Sequence, residues 1–317
     1  MDEITVSKLT PGMKMEGFLL VRSAEQRLGK GGNYLDLILV DRTGEIGAKV
    51  WDGTIAPPPA GSVIKVRGTV QEFNGRLQFR VEKFRQARPE DNVDLNTLVP
   101  CAPRSPEEMR REIDETVDRM QSEPLRKITR EMLRMAGDAL AYFPAAQKMH
   151  HAERSGLLHH TTDMLRAAEQ LIRAYPFLNG DLLRAGVILH DLAKLSEMKS
   201  DALGNVSDYS RDGLLVGHLV RGVSNLDEAA RNVGVCGELL QLLEHMIISH
   251  HGQAEYGSPR APMFPEAQVL HALDNLDAKL NEMRAIVDRT PAGAFSERIP
   301  SLDGRRIYHP HYSDEAE

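Results

Sequence analysis

Along residues 17–85 apolar and polar positions alternate with a period of two. GFLLVRS (17–23), NYLDLILVD (33–41), EIGAKVWD (45–52), SVIKVRGTVQEF (62–73) and RLQFRVEKFR (76–85) each predict a strand. Turn signals separate them: GKGG at 29–32, DRTG at 41–44, PPPAG at 57–61 and NG at 74–75. In the last strand Leu77, Phe79 and Val81 fall on one face, Arg76, Gln78 and Arg80 on the other. The pattern then changes. QARPEDNVDLNTLVPCAPRSP is rich in proline and polar residues, and its part from 91 to 106 reads as a linker. SPEEMRREIDETVDRM opens a helical region with a serine cap and glutamates in its first turn. Helical periods continue to about 290, and 291–317 reads as a C-terminal tail without clear pattern.

These periods predict a multidomain chain of 317 residues, with a five-stranded N-terminal barrel over 1–90 and an all-α domain over 107–290. A small Greek-key barrel of this strand count suits the oligonucleotide-binding (OB) type, which grips single strands with basic groups and aromatic stacking platforms. The candidates here are Lys30, Tyr34, Lys49, Trp51, Arg76 and Arg80, with Phe73 beside them. Charge agrees with a grip joined to a different kind of domain. The chain carries −7 overall, yet residues 1–90 hold 14 basic and 11 acidic residues, a local +3. The remainder is strongly acidic, which suits carboxylates that bound cations would offset.

The helical part carries an unusual polar series: GLLHHT (156–161), ILHDLAK (188–194), LLVGHLV (214–220), IISHHG (247–252) and LHALDNLDAK (270–279). A lone histidine in an apolar run is ordinarily a hydrogen-bonded core residue. Five such interruptions would each need a separate buried partner, whereas metal ions satisfy them together. Neutral imidazole and carboxylate suit Zn, Mn, Fe or Ni, and an ion offsets the cost of burying the carboxylates. Read as one buried helix, ILHDLAK points His190 and Asp191 about 100° apart. Lys194 lies at i+4 and i+3 from them, on the same side.

The order H…HD…H…HH…D in a helical setting resembles the HD-domain metal-dependent phosphohydrolases. That resemblance implies one ion on His160, His190, Asp191 and Asp274. It implies a second sharing Asp191 and taking His218 with His250, His251 or both. Lys194 would face a phosphate oxygen, making Asp191 and Lys194 the catalytic pair. ILHDLAK has alanine at 193 where many HD proteins carry glycine, a change in helix packing that touches no ligand. A resemblance over nearly the whole chain, through LILVDRTGEIGAKVWD, FPAAQKMHHAERSGLLHHT, AGVILHDLAK and HMIISHHGQAEYGSP, is to the YhaM-type 3′→5′ exoribonucleases. It implies manganese-stimulated hydrolysis of single-stranded RNA, with release of 5′-mononucleotides. Fe, Co, Ni, Zn and Mg remain open as the metal, and single-stranded DNA as a substrate. His150 and His151 are candidates to line the substrate channel or stand behind the metals, His271 to stand behind them or pack its helix, and Ser258 and Arg260 to contact the terminal nucleotide.

The rival readings are an HD-type cyclic-dinucleotide or nucleotide phosphohydrolase and a single-strand-binding regulatory protein with a structural metal. The first lacks its Gly-Tyr-Pro loop here, since the histidine pair runs into GQAEYGSPRAP. No apolar run approaches the roughly 18 residues that span a bilayer, and MDEITVSKLTPGMK lacks the layout of a secretory signal. Two cysteines are too few for a disulfide framework. A cytoplasmic protein with no membrane partner is expected, and a homo-oligomer is left open.

Overall fold

The computed structural model describes residues 5–29, 32–147, 151–201 and 203–311. Lys30 and His150 lie outside the described residues. The chain divides into two compact units, Met1–Cys101 and Ala102–Glu317.

The first unit is a closed barrel of β1 (Lys14–Gly29), β2 (Gly32–Asp41), β3 (Gly44–Val50), β4 (Val63–Phe73) and β5 (Arg76–Gln86). Its strand order is β1-β2-β3-β5-β4; β3 and β5 run parallel and the other neighbours antiparallel. Alternation fills the interior. Leu35, Leu37 and Leu39 from β2 meet Ala48, Val66, Val70 and Phe79, all buried, and this burial is the main favourable term. The turns follow their chemistry. Asn74 and Gly75 both take positive φ, 52° and 74°, as a two-residue hairpin turn requires. In the DRTG turn, Asp41 accepts from the amides of Thr43, Gly44 and Val6. β1 runs six residues beyond the predicted strand, because AEQRLG pairs with β2 as a largely exposed ribbon whose polar faces carry no alternation to read.

The proline-rich stretch after β5 holds two single-turn 3-10 helices, and Leu98 and Val99 in it are buried.

The second unit comprises α1 (Pro106–Arg119), α2 (Glu123–Ala136), α3 (Gly156–Ala174), α4 (Gly180–Leu189), α5 (Lys194–Glu197), β6 (Met198–Ser200) and β7 (Val206–Tyr209). It continues with α6 (Arg211–Leu215), α7 (Gly217–Val233), α8 (Glu238–Ser249), α9 (Pro265–Val287), β8 (Phe295–Ile299) and β9 (Arg305–Tyr308). Ser105 caps α1, its hydroxyl accepting from the Glu108 amide at 3.1 Å. Apolar stripes of α1, α2, α3, α4, α8 and α9 enclose one core containing Met109, Ile128, Leu157, Val187, Met246 and Leu270. The unit is mostly but not wholly helical. β6–β7 and β8–β9 are two-stranded hairpins of three to five residues, too short and polar for a period of two to register. The second lies in the stretch read as a tail and contacts α9.

Candidate metal centre and nucleic-acid face

The histidine series comes together at the ends of helices. His160 is in the first turn of α3, and His190 and Asp191 lie where α4 stops. His218 opens α7, His250 and His251 close α8, and Asp274 is in the middle of α9. The doublet is thus not inside a continuous helix as the sequence suggests. The α-helix ends at Leu189, and the Lys194 amide bonds back three residues to the Asp191 carbonyl, a tighter turn that frees both side chains to face one point.

Two groups of donor atoms result. His160 Nε2 lies 3.3 Å from His190 Nε2, 3.3 Å from Asp274 Oδ1 and 3.8 Å from Asp191 Oδ2. On the other side of the same carboxylate, Asp191 Oδ1 lies 3.6 Å from His218 Nε2 and 3.7 Å from His250 Nε2. His251 joins this second group, a ring nitrogen within 4.8 Å of the His218 and His250 donor atoms. Donors held at about 2.1 Å from an ion sit about 3 to 3.5 Å apart, and both groups are at or a few tenths of an ångström beyond that spacing.

Tautomers supply an independent test of fit. Every one of the five imidazoles has its Nδ1 tied: His160 to Asp277 (2.7 Å), His190 to the Val187 carbonyl (2.9 Å) and His218 to Glu197 (2.8 Å). His250 bonds the Ile247 carbonyl (2.7 Å) and His251 the Tyr256 carbonyl (2.8 Å). An Nδ1–H donated outward leaves an Nε2 lone pair facing inward, the arrangement of metal-binding histidines. Asp191 Oδ1, His218 Nε2 and His250 Nε2 are buried with no hydrogen-bond partner among the described residues. Buried polar atoms left this way are costly unless an ion takes them. The residues present therefore fit a pair of divalent ions.

Charge is arranged accordingly. Burial would raise the Asp191 carboxyl, but the Lys194 ammonium and His190 hold it well below the ordinary range. Lys194 Nζ lies 2.6 Å from Asp191 Oδ2 and is itself nearly buried. Burial, with His190 alongside, pulls His250 well below its ordinary value and keeps it neutral, as a ligand must be. His160 differs: burial opposes its charge, yet hydrogen bonds to Asp274 and Asp277 outweigh burial and push it up to about 9.

The remaining candidates take supporting positions. His151 is buried behind His160, its Nε2 2.8 Å from Asp277 Oδ2. His271 is not among the converging donors: its Nδ1 bonds the His250 carbonyl at 2.7 Å, and its ring fills the space a Cβ on Gly252 (φ 78°) would need. Ser258 is buried with a hydroxyl unpartnered among the described residues, whereas Arg260 is exposed near His245. Sequence reasoning missed Asp277 and Glu197, which orient His160 and His218. Asp277 was within reach, one helical turn after Asp274. Replacing Asp277 by Asn should weaken Mn²⁺ binding about 10- to 100-fold by calorimetric titration; unchanged affinity would show that His160 needs no orienting partner.

On the barrel, strand register places the outward residues of β2, β3 and β5 side by side. Asp36 is opposite Lys49, which is opposite Arg80, and Ile38, Gly47 and Gln78 follow in the next row. Tyr34 and Trp51 meet with ring centroids 5.2 Å apart, and Lys49 Nζ stands 5.1 Å above the Tyr34 ring while pairing with Asp36. Trp51 is 61% exposed. Toward the β4–β5 turn the face deepens into a groove lined by Ile38, Glu45, Phe73, Arg76 and Gln78. Tyr34, Lys49, Trp51 and Arg80 are thus brought together, with Arg76 at the groove.

Comparison with known proteins agrees with both units. A profile for OB-fold nucleic acid binding domains matches residues 17–87, and one for the HD domain matches 157–279. The chain is 39% identical over 309 residues to the 3′-5′ exoribonuclease YhaM of Geobacillus sp. (strain WCH70), covering 95% of this chain and 94% of that protein. It is 38% identical to the YhaM proteins of Shouchella clausii and of Listeria innocua, each covering at least 94% of both chains. A nucleic-acid-binding barrel followed by a helical unit with paired donor sets, matched end to end by these relatives, makes this chain a member of the YhaM 3′-5′ exoribonuclease family.

Proposed function

We propose that this chain is a metal-dependent hydrolase that removes nucleotides one at a time from the 3′ end of single-stranded RNA in the cytoplasm, releasing 5′-mononucleotides. The observation that carries the reading is the convergence of five Nε2 atoms and two carboxylates, each imidazole fixed by its Nδ1 bond. His160, His190, Asp191 and Asp274 would hold one ion, and Asp191, His218, His250 and His251 the other. When bound, such ions supply Lewis acidity to water and phosphate. Imidazole and carboxylate donors without thiolate suit Mn²⁺, Fe²⁺, Co²⁺, Ni²⁺ and Zn²⁺, with Mg²⁺ open as well; Mn²⁺ is put first on the family resemblance alone.

The chain's own residues do the rest. Asp191 presents one oxygen to each donor group and so spaces them. Lys194 holds that carboxylate in place with one of its three N–H donors and has two more to offer a phosphoryl oxygen as charge develops there. The buried Ser258 hydroxyl, in the loop after the histidine pair, is a donor for the terminal nucleotide. On the barrel, Tyr34 and Trp51 stack bases while Lys49, Arg76 and Arg80 follow the backbone.

The test uses purified protein, Mn²⁺ and a single-stranded RNA labelled at its 5′ end, resolved on a denaturing gel. A descending ladder, abolished by chelator, is the expected result. RNA bound but uncut with Mn²⁺, Mg²⁺, Fe²⁺ and Co²⁺ would instead make the chain a binding module with a structural metal. A matched DNA strand reads the contribution of the 2′-hydroxyl.

A further inference from the structure

A second histidine cluster lies behind the catalytic donors and takes no part in the chemistry above. His151 and Glu153 sit on the loop that enters α3, and His159 is in that helix's first turn. Both rings turn Nε2 away from the cluster and Nδ1 into it, the opposite orientation to the catalytic histidines. His159 turns Nε2 toward Asp163 Oδ2 at 3.1 Å, and His151 turns Nε2 toward Asp277 Oδ2 at 2.8 Å. The two Nδ1 atoms face each other at 3.1 Å. Glu153 Oε1 completes the triangle, 2.7 Å from His159 Nδ1 and 3.7 Å from His151 Nδ1.

Three features point to a ligand at the centre of that triangle. The separations bracket the roughly 3 to 3.5 Å expected between donors bonded at about 2.1 Å to one ion. A carboxylate on the far nitrogen of each imidazole is the outer arrangement that aims a lone pair at a metal. His159 Nδ1 lies within hydrogen-bond distance of both Glu153 Oε1 and His151 Nδ1, so three donor atoms surround the place of one cation, a proton or a metal ion. The backbone is bent to make the cluster: His151 and Ser155 both lie in the left-handed region, φ 51° and 64°. Such conformations cost a non-glycine residue about 1–3 kcal/mol and gather at functional sites.

We propose that His151 Nδ1, His159 Nδ1 and Glu153 Oε1 form a further divalent-metal site, separate from the catalytic donors. Two imidazoles and one carboxylate select a borderline transition ion such as Zn²⁺ or Co²⁺ over Mg²⁺ or Ca²⁺. The ion clamps the 151–155 loop onto α3. Through His151 and Asp277 it also steadies His160, so this site acts on the catalytic centre by position rather than by contact with substrate.

The experiment counts metal in the full-length chain, stripped with chelator and reloaded with Co²⁺, by mass spectrometry and visible absorption. A background variant, Asp191→Ala with Asp274→Ala, removes shared catalytic donors. The proposal expects that background to keep one tightly held Co²⁺ with ligand-field bands, and the addition of Glu153→Ala and His159→Gln to abolish it. Asp163→Asn in the same background should weaken binding about 10- to 100-fold. No tightly held ion in the background, or equal Co²⁺ with and without Glu153 and His159, would overturn the proposal and leave a proton as the occupant. Should circular dichroism show the background unfolded, wild type and Glu153→Ala are compared directly: a loss of one ion per chain supports the site, and an unchanged count overturns it. Because the readout is bound metal rather than RNA cleavage, this result and the exoribonuclease reading stand or fall separately.

Discussion

Replacing Asp191 by alanine is expected to lower RNA hydrolysis by at least about a thousandfold, a barrier increase of about 4 kcal/mol, while RNA binding by the barrel persists. The reason lies in where the two oxygens point. Oδ2 faces His160, His190 and Lys194, and Oδ1 faces His218 and His250. One substitution therefore removes a donor from both ligand groups and releases the lysine that would meet the phosphate. The change also strands the Lys194 ammonium in a nearly buried place, and breaking a buried pair from one side costs about 3–5 kcal/mol. Thermal unfolding of the ion-free variant should register that loss, and adding Lys194→Met should recover most of it without restoring turnover. Wild-type rates in Asp191→Ala would take this residue out of the reaction. A variant as stable as wild type would mean the ammonium finds water or another carboxylate.

Removing the barrel should act on a different quantity. A chain of residues 102–317 is expected to lose about 10²–10³-fold in kcat/KM on long RNA, since stacking on aromatic platforms is worth about 1–3 kcal/mol per base and two rings are lost together with their cations. Hydrolysis of a small diester such as bis(p-nitrophenyl) phosphate should be unchanged, because it reaches the metal centre without using the grip. The helical unit has its own core, from Met109 to Leu273, and contains every donor of the centre. Equal losses on both substrates would mean the barrel serves the fold of the helical unit rather than its substrate. In the full-length chain, Tyr34→Ala with Trp51→Ala should reproduce part of the effect on long RNA.

Much of this was legible in the sequence because the signals are local. A barrel interior demands alternation, so the five strands, the Asn74–Gly75 turn and the inward set around Phe79 follow from period and turn chemistry alone. The donor series was legible for a related reason: histidine and aspartate are expensive inside apolar helices, so each one interrupting such a run announces a partner. Even the nearness of Lys194 to Asp191 follows from i+3 spacing, though their ion pair does not.

Tertiary structure decided what depends on residues far apart in the chain. Which ring nitrogen faces inward is set by what lies behind each histidine, and those partners come from elsewhere: Asp277 for His160, 117 residues away, and Glu197 for His218, 21 residues away. No periodicity encodes that choice. The tight turn that ends α4 at Leu189 is equally invisible in ILHDLAK, whose residues are all compatible with helix. His151 and His159 are merely close to His160 in sequence; only the left-handed loop between them and the carboxylates of α3 and α9 make their Nδ1 atoms face each other. Local chemistry thus determined which residues must be compensated, and the packing of helix ends determined by what.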